Sequence, residues 1–140
     1  CGYEPIYSKK QINSNYNFSI NSINYIGDNK VNQILKNQLQ KILNKEKKST
    51  ELNLNLNSRV EKVITSKDKK SNPKRFSIKI IINLEVYESE ILKGKANFEE
   101  KFEYNNKSNK FDLKQYEKNI QDNLISKLSD EIIRYLNSLR

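Results

Sequence analysis

The chain has 140 residues, enough for one ordinary domain with its own core, and its single cysteine and lack of histidine exclude an internal disulfide and the commonest general base and metal ligand. Lys and Arg number 26 against 17 Asp and Glu, a net charge of +9 that points to an anionic partner or surface. No stretch reaches the roughly 18–20 consecutive apolar residues that cross a bilayer as a helix.

Cys1 opens the run Cys1-Gly2-Tyr3-Glu4-Pro5-Ile6-Tyr7. A bacterial lipoprotein precursor is cut just before a cysteine whose sulfur then carries a diacylglycerol. Cys1 is therefore the expected lipidation site, with a further acyl chain on its amine, and these chains are the expected means of membrane attachment. Residues 1–15 are polar, contain Pro5, Lys9 and Lys10, and read as the lipidated tether of a single domain over residues 16–140. Tyr16, Phe18 and Ile20 alternate with Asn17 and Ser19, the period-2 pattern of a half-buried strand, and a slip before Ile23 and Tyr25 predicts a bulge near Asn21 and Ser22. Gly27 ends the strand and Asp28 is placed to cap a helix. Val31, Ile34, Leu35, Leu39, Ile42 and Leu43 then recur at helical spacing, with Lys45, Lys47 and Lys48 suited to the helix C-terminus.

Leu52, Leu54 and Leu56 alternate with asparagines in a strand that continues through Val60 toward Ile64. Lys67–Lys74 carries no apolar residue and reads as a turn. Phe76, Ile78, Ile80, Ile82, Leu84 and Val86 form one face of the strongest strand. After a turn over Ser89–Gly94, a last strand runs from about Lys95 to Tyr104 with Ala96, Phe98, Phe102 and Tyr104 inward. Asn105–Lys110 reads as a polar loop and Asp112 as the cap of a long helix whose stripe is Leu113, Tyr116, Ile120, Leu124, Leu128, Ile132, Tyr135, Leu136 and Leu139.

The order β-α-β-β-β-α predicts an α+β two-layer sandwich. Three consecutive strands form an antiparallel meander, a single helical crossover sets the first strand parallel to the second, and both helices cover one face of a four-stranded mixed sheet. In that topology the turn after the second strand and the loop after the fourth lie at the same end. Lys67, Lys69, Lys70, Lys74 and Arg75 are thus expected to gather with Lys107 and Lys110 far from the tether, in a basic tip able to bind phosphates and acidic sugars.

Few residues offer catalysis or base reading. Only three glycines are present, so no phosphate loop is available; Cys1 has no partner for a zinc site; and adjacent Glu99 and Glu100 are expected to point to opposite faces of a strand. The composition argues against an enzyme. The strongest strand exposes Ser77, Lys79, Ile81, Asn83, Glu85 and Tyr87, which lacks the aromatic platform of an RNA-reading sheet.

The opening Cys1–Tyr7, the stretch Lys36-Asn37-Gln38-Leu39 in the first helix, and the order of elements together resemble the lipopolysaccharide-assembly outer-membrane lipoprotein family LptE. Enterobacterial members carry Arg where this chain has Lys36. The resemblance implies a non-catalytic lipoprotein held by Cys1 at the periplasmic face of the outer membrane. It also implies a partner, the LptD β-barrel, which the domain plugs and helps to assemble, and contact with lipopolysaccharide during its transport to the outer leaflet. Basic residues in the two tip loops, here Lys74 or Arg75 and Lys107 or Lys110, are the implied lipopolysaccharide contacts. The resemblance implies no metal, no cofactor beyond the acyl chains on Cys1, and no nucleic acid. Two other readings stay open: a pilotin-like or envelope-polymer-binding periplasmic lipoprotein, and a basic nucleic-acid-binding module.

Overall fold

A computed structural model of the chain describes residues 18–42 and 48–139. Cys1, the rest of the tether, Tyr16, Leu43, Lys45 and Lys47 lie outside the described residues. The elements are β1 (Ser19–Gly27), α1 (Asn29–Ile42), β2 (Glu51–Lys67), β3 (Pro73–Glu88), β4 (Ile91–Asn105) and α2 (Lys110–Ser138). The strands lie in sequence order in one sheet, with β1 parallel to β2 and the β2–β3 and β3–β4 pairs antiparallel. This is the predicted β-α-β-β-β-α arrangement, and the bulge falls where the pattern slips, between Ile20 and Ser22.

The inward rows are those of the period-2 reading. Leu54, Leu56, Ile78, Ile80, Ile82, Leu84 and Val86 are all essentially buried, against Val31, Leu35 and Leu39 of α1 and Leu124, Leu128 and Ile132 of α2. Full burial of each such side chain contributes about 1.5–3 kcal/mol against the entropy of ordering the chain. Ile125, Ser129 and Ile133 are equally buried although they lie off the predicted stripe. A stripe drawn for one neighbour is too narrow here, because α2 packs against both the sheet and α1.

Several boundaries move for local reasons. The β2–β3 turn is only Asp68–Asn72, since Pro73 and Lys74 already belong to β3. The β3–β4 connection is the two-residue turn Ser89–Glu90, not Ser89–Gly94; both residues take φ of +50° and +68°, the primed-turn conformation that matches strand twist. Asn109, not Asp112, caps α2: its Oδ1 accepts from Phe111 N at 2.9 Å and Asp112 N at 3.2 Å. Phe102 faces the helices in register with Ile78 but remains 45% exposed, because it lies on the edge strand.

The junction between β1 and α1 is tightly specified. Gly27 has φ +104°, and a Cβ there would lie 2.0 Å from the Ser58 carbonyl oxygen. Asp28 N donates to that carbonyl, the Asp28 carboxylate accepts from Val31 N at 2.9 Å as the expected cap, and Ser58 Oγ donates to Asn32 Oδ1 at 2.6 Å. Ser58 and Asn32 are both buried, so this bond keeps two polar groups satisfied.

Glu99 and Glu100 point to opposite faces of β4, as expected, and Glu100 meets a carboxyl that the sequence reading did not pair with it. Glu100 stands in register with Ile80, on the helix side of β4, and meets Glu131 of α2. Burial, and then the adjacent Glu100, push the Glu131 carboxyl up to about 7, with Arg134 and Lys127 opposing weakly. The pair sits in the seam between helix and sheet, outside the lining of the groove described below.

Gly27→Ala is expected to cost about 1–3 kcal/mol or more in denaturant unfolding, through backbone strain and the clash with Ser58. Glu131 binds its proton more tightly in the folded state than in the unfolded one. Its contribution is therefore present below pH about 4.5 and lost as pH rises toward about 7. Melting curves across that window should show a fall in the native chain that Glu131→Gln abolishes.

Candidate functional site

The far end of the sheet extends beyond β1. β1 stops opposite Ser58, whereas β2 continues to Lys67, so the last half of β2 and its partners in β3 and β4 form a three-stranded projection. Two loops close this projection. In the β2–β3 turn the Asp68 carboxylate accepts from Lys70 N at 2.8 Å and Asn72 N at 2.9 Å, and Ser71 takes φ +68°. The hydrogen bond from Asn72, together with that from Lys70 and the nearby Lys74 charge, holds the Asp68 carboxyl below the usual carboxylate value against the opposing effect of burial.

Asn106 joins the second loop to the first. Its backbone N donates to Lys74 O at 2.9 Å, its Nδ2 to Pro73 O at 2.9 Å, and its Oδ1 accepts from Lys107 N at 2.8 Å. Asn106 therefore brings Lys74 beside Lys107, and Asn109 then starts α2 at Lys110. Lys67, Lys69, Lys70, Lys74, Lys107 and Lys110 are all exposed. The tip is basic, as the topology predicts.

The four candidate contacts are not equivalent. Lys74 is exposed and makes no ion pair or side-chain hydrogen bond among the described residues, its charge reaching Asp68 only through space. Lys107 Nζ lies 4.8 Å from the centroid of the Tyr116 ring, a cation–π contact that positions it without neutralising it. Lys110 is the first residue of α2, where the helix dipole disfavours a cation, so folding stability does not account for its placement. Arg75 is turned to the uncovered face of the sheet, where it donates to Asn105 Oδ1 at 2.6 Å and pairs with Glu103 at 3.7 Å. Of the four, Arg75 is the one already engaged.

A polar cluster behind the tip escaped the sequence reading. Lys62 stands in register with Ile78 on the apolar side of β2, and its Nζ lies 2.7 Å from Glu117 Oε2 and 4.5 Å from the Phe76 ring centroid. Tyr104 OH donates to the same Glu117 oxygen, and the Tyr104 ring contacts those of Phe76 and Tyr116. Burial raises the Glu117 carboxyl, but the bonds from Lys62 and Tyr104 outweigh it and leave the group below its ordinary value. The same burial, with the anionic partner, pushes the Tyr104 phenol well up. A lysine at an inward position of a strand and a glutamate next to Tyr116 on the helix stripe were the available signal.

The rest of the surface differs from the tip. On the open face of the sheet Lys79 lies between Glu61 and Glu99, Lys95 beside Glu85, and Arg59 beside Glu61, so charges of both signs alternate. Near the tip, Phe111 is 72% exposed and Ile64 and Phe102 are about half exposed. Phe102 lines a shallow groove of about 430 Å³ with Ile120, Leu124 and Lys127. Free cations beside exposed apolar groups suit an amphiphilic anion. Among the described residues, no group of three His, Cys, Asp or Glu side chains is arranged to hold a metal.

Tyr104→Phe should remove one donor from a partly buried carboxylate and lower unfolding free energy by about 1–2 kcal/mol in a denaturant titration, leaving the tip lysines in place.

Neither a protein-family model nor a curated protein sequence matches the chain. Solved structures do. Rare lipoprotein B from Shewanella oneidensis superposes with a TM-score of 0.63 at 10% identity, covering 84% of this chain and 95% of that one. A minor lipoprotein from Acinetobacter baumannii gives a TM-score of 0.60 at 11% identity, with coverage of 84% and 90%. Lipoprotein B from Nitrosomonas europaea gives 0.56 at 10% identity, with coverage of 84% and 82%. At these identities the likeness is one of fold: the chain has the architecture of rare lipoprotein B.

Proposed function

We propose that the chain is a non-catalytic outer-membrane lipoprotein of the LptE type, held by acyl chains on Cys1 at the periplasmic face. In this reading it plugs an LptD-type β-barrel, assists its assembly, and contacts lipopolysaccharide with its basic tip. The observation that carries the reading is the separation of the two ends. β1 enters the sheet at Ser19 beside Glu51, and Lys74, Lys107 and Lys110 lie at or beside the two loops near the other end of β2, roughly 50 Å away along a strand of 17 residues. An anchor at the near end leaves the basic tip free to enter a partner. The fold shared with several bacterial lipoproteins supports the same assignment.

The ligand contacts follow from the local chemistry. The unpaired ammoniums of Lys74 and Lys110, with Lys107 held over Tyr116, would meet phosphates and acidic sugars, and exposed Phe111 and Phe102 would meet acyl chains. Arg75, paired with Glu103 and Asn105, would serve mainly to brace the loops.

Replacing Lys74, Lys107 and Lys110 together with Gln should weaken binding of purified lipopolysaccharide to the full chain by at least about tenfold at low salt, equivalent to about 1.4 kcal/mol. Arg75→Gln alone should have a smaller effect on binding. Because exposed charges are screened, the deficit should shrink as salt rises. Unchanged binding in the triple variant at low and moderate salt would overturn the tip assignment. For the barrel, the acylated protein should co-purify with a large β-barrel from solubilised outer membranes; recovery of the lipoprotein alone would count against the plug.

A further inference from the structure

The two ends of β3 carry opposite chemistry. The β2–β3 turn is polar from Asp68 to Asn72, whereas the two-residue turn Ser89–Glu90 leads straight into Ile91 and Leu92. These two side chains are 62% and 44% exposed, and neither joins the core. Ile91 pairs with Glu88 on the helix side of the sheet and Leu92 with Tyr87 on the uncovered side, so the hairpin presents one aliphatic group on each face. Among the described residues, helical cover ends just short of them: Tyr135 and Leu139 close on Gly94, and α2 stops at Ser138.

This hairpin lies at the end of the sheet where the N-terminal segment enters. Ser19 pairs with Glu51; two residues along, Asn53 pairs with Tyr87 and Tyr87 with Leu92. At the usual spacing between paired strands, β4 is about 14 Å across the sheet from β1. Cys1 precedes Phe18 by 17 residues, a length of chain that can cover that distance several times over. The exposed aliphatic pair and the expected lipid anchor are therefore within reach of one surface, and the basic loops are at the opposite end of the strands.

We propose that the β3–β4 hairpin is a membrane-contact site: Ile91 and Leu92 enter the interfacial region of the leaflet that holds the acyl chains on Cys1. The contact rests on the acyl anchor of the function proposed above and on nothing else in it. The charges of the hairpin select the class of lipid. Glu88 pairs with Lys93 at 3.6 Å, Glu85 with Lys95 at 3.8 Å, and Glu90 is exposed at the turn, so the hairpin has no basic excess and the matching surface is zwitterionic. Acyl chains alone hold the chain at a membrane without fixing which way the domain points. Two aliphatic side chains tied to the same bilayer act at high effective concentration, and with the hairpin down the basic loops point away from the lipid.

Alkylating the single cysteine of the full chain with a hexadecyl maleimide supplies one hydrocarbon chain, which by itself gives only marginal, reversible binding to vesicles. In sedimentation with phosphatidylcholine vesicles, the double variant Ile91→Ser, Leu92→Ser should partition at least about tenfold more weakly than the native chain, with an unchanged thermal melt. The chain has no tryptophan, so Leu92→Trp and Phe111→Trp each report one site. On vesicles of brominated phosphatidylcholine the tryptophan of Leu92→Trp should be quenched, and that of Phe111→Trp, at the tip, should not. Equal partitioning of the double variant, no quenching in vesicle-bound Leu92→Trp, or equal quenching in Phe111→Trp would overturn the proposal. The chemical anchor and barrel-free vesicles keep this result separate from the function proposed above: the absence of acyl chains on native Cys1 in a mass spectrum would overturn the natural anchor, and lipopolysaccharide binding reads the tip.

Discussion

How far β1 can run is decided at Gly27, and most of the molecule's shape depends on that limit. The positive φ of Gly27 and its close approach to the Ser58 carbonyl turn the chain out of the sheet, Asp28 caps the helix that follows, and the buried Ser58–Asn32 bond fastens that helix to β2. These contacts fix where α1 begins and send it back along the sheet, so that Val31, Leu35 and Leu39 meet the inward row of β2 and β3. Among the described residues they also leave the second half of β2 without a parallel neighbour. The projecting tip and the open edge are both consequences of that one turn.

The projection is held by a different kind of interaction from the core. Near the Ser19 end, apolar side chains from two helices and the sheet interlock with few polar groups among them. Toward the tip the apolar row gives way to Lys62, Tyr104 and Glu117, whose mutual bonds let α2 cross the sheet with charged groups in the seam. A carboxylate held by two donors tolerates partial burial where an unpaired one would not. The aromatic contacts of Tyr104 with Phe76 and Tyr116 supply packing around that polar centre.

Much of this was legible in the residue pattern, because strand and helix periods are local. The alternation of Leu52–Leu56 and of Phe76–Val86 identified the inward faces, the slip after Ile20 identified the bulge, and Gly27-Asp28 identified the junction. The basic tip followed from chain direction alone. What the pattern concealed was set by tertiary neighbours: the second buried stripe of α2 at Ile125 and Ile133, the Lys62–Glu117 pair, and the meeting of Glu100 with Glu131. Ser89 and Glu90 concealed the hairpin turn because neither is a residue that favours positive φ, and Asn109 took the cap from Asp112 by lying three residues earlier in a run of polar residues. That Arg75 is occupied while Lys74 is unpaired follows from which face of β3 each serves, a distinction blurred in the sequence by the register shift between Ser66 and Lys67.

The unequal cover of the sheet also divides the molecule by how readily it opens. Around Ser19–Ser58 the inward side chains pack beneath two helices, α1 over β1 and β2 and α2 over β3 and β4, so opening there disrupts much of the core. Past Ser58 the strands rest on the first turns of α2 alone, and local opening of Val60–Lys67 and Pro73–Ile78 costs only the contacts of that end. The domain therefore has a stiff shank and a more yielding head. A head of that kind can change shape locally while the shank keeps its own.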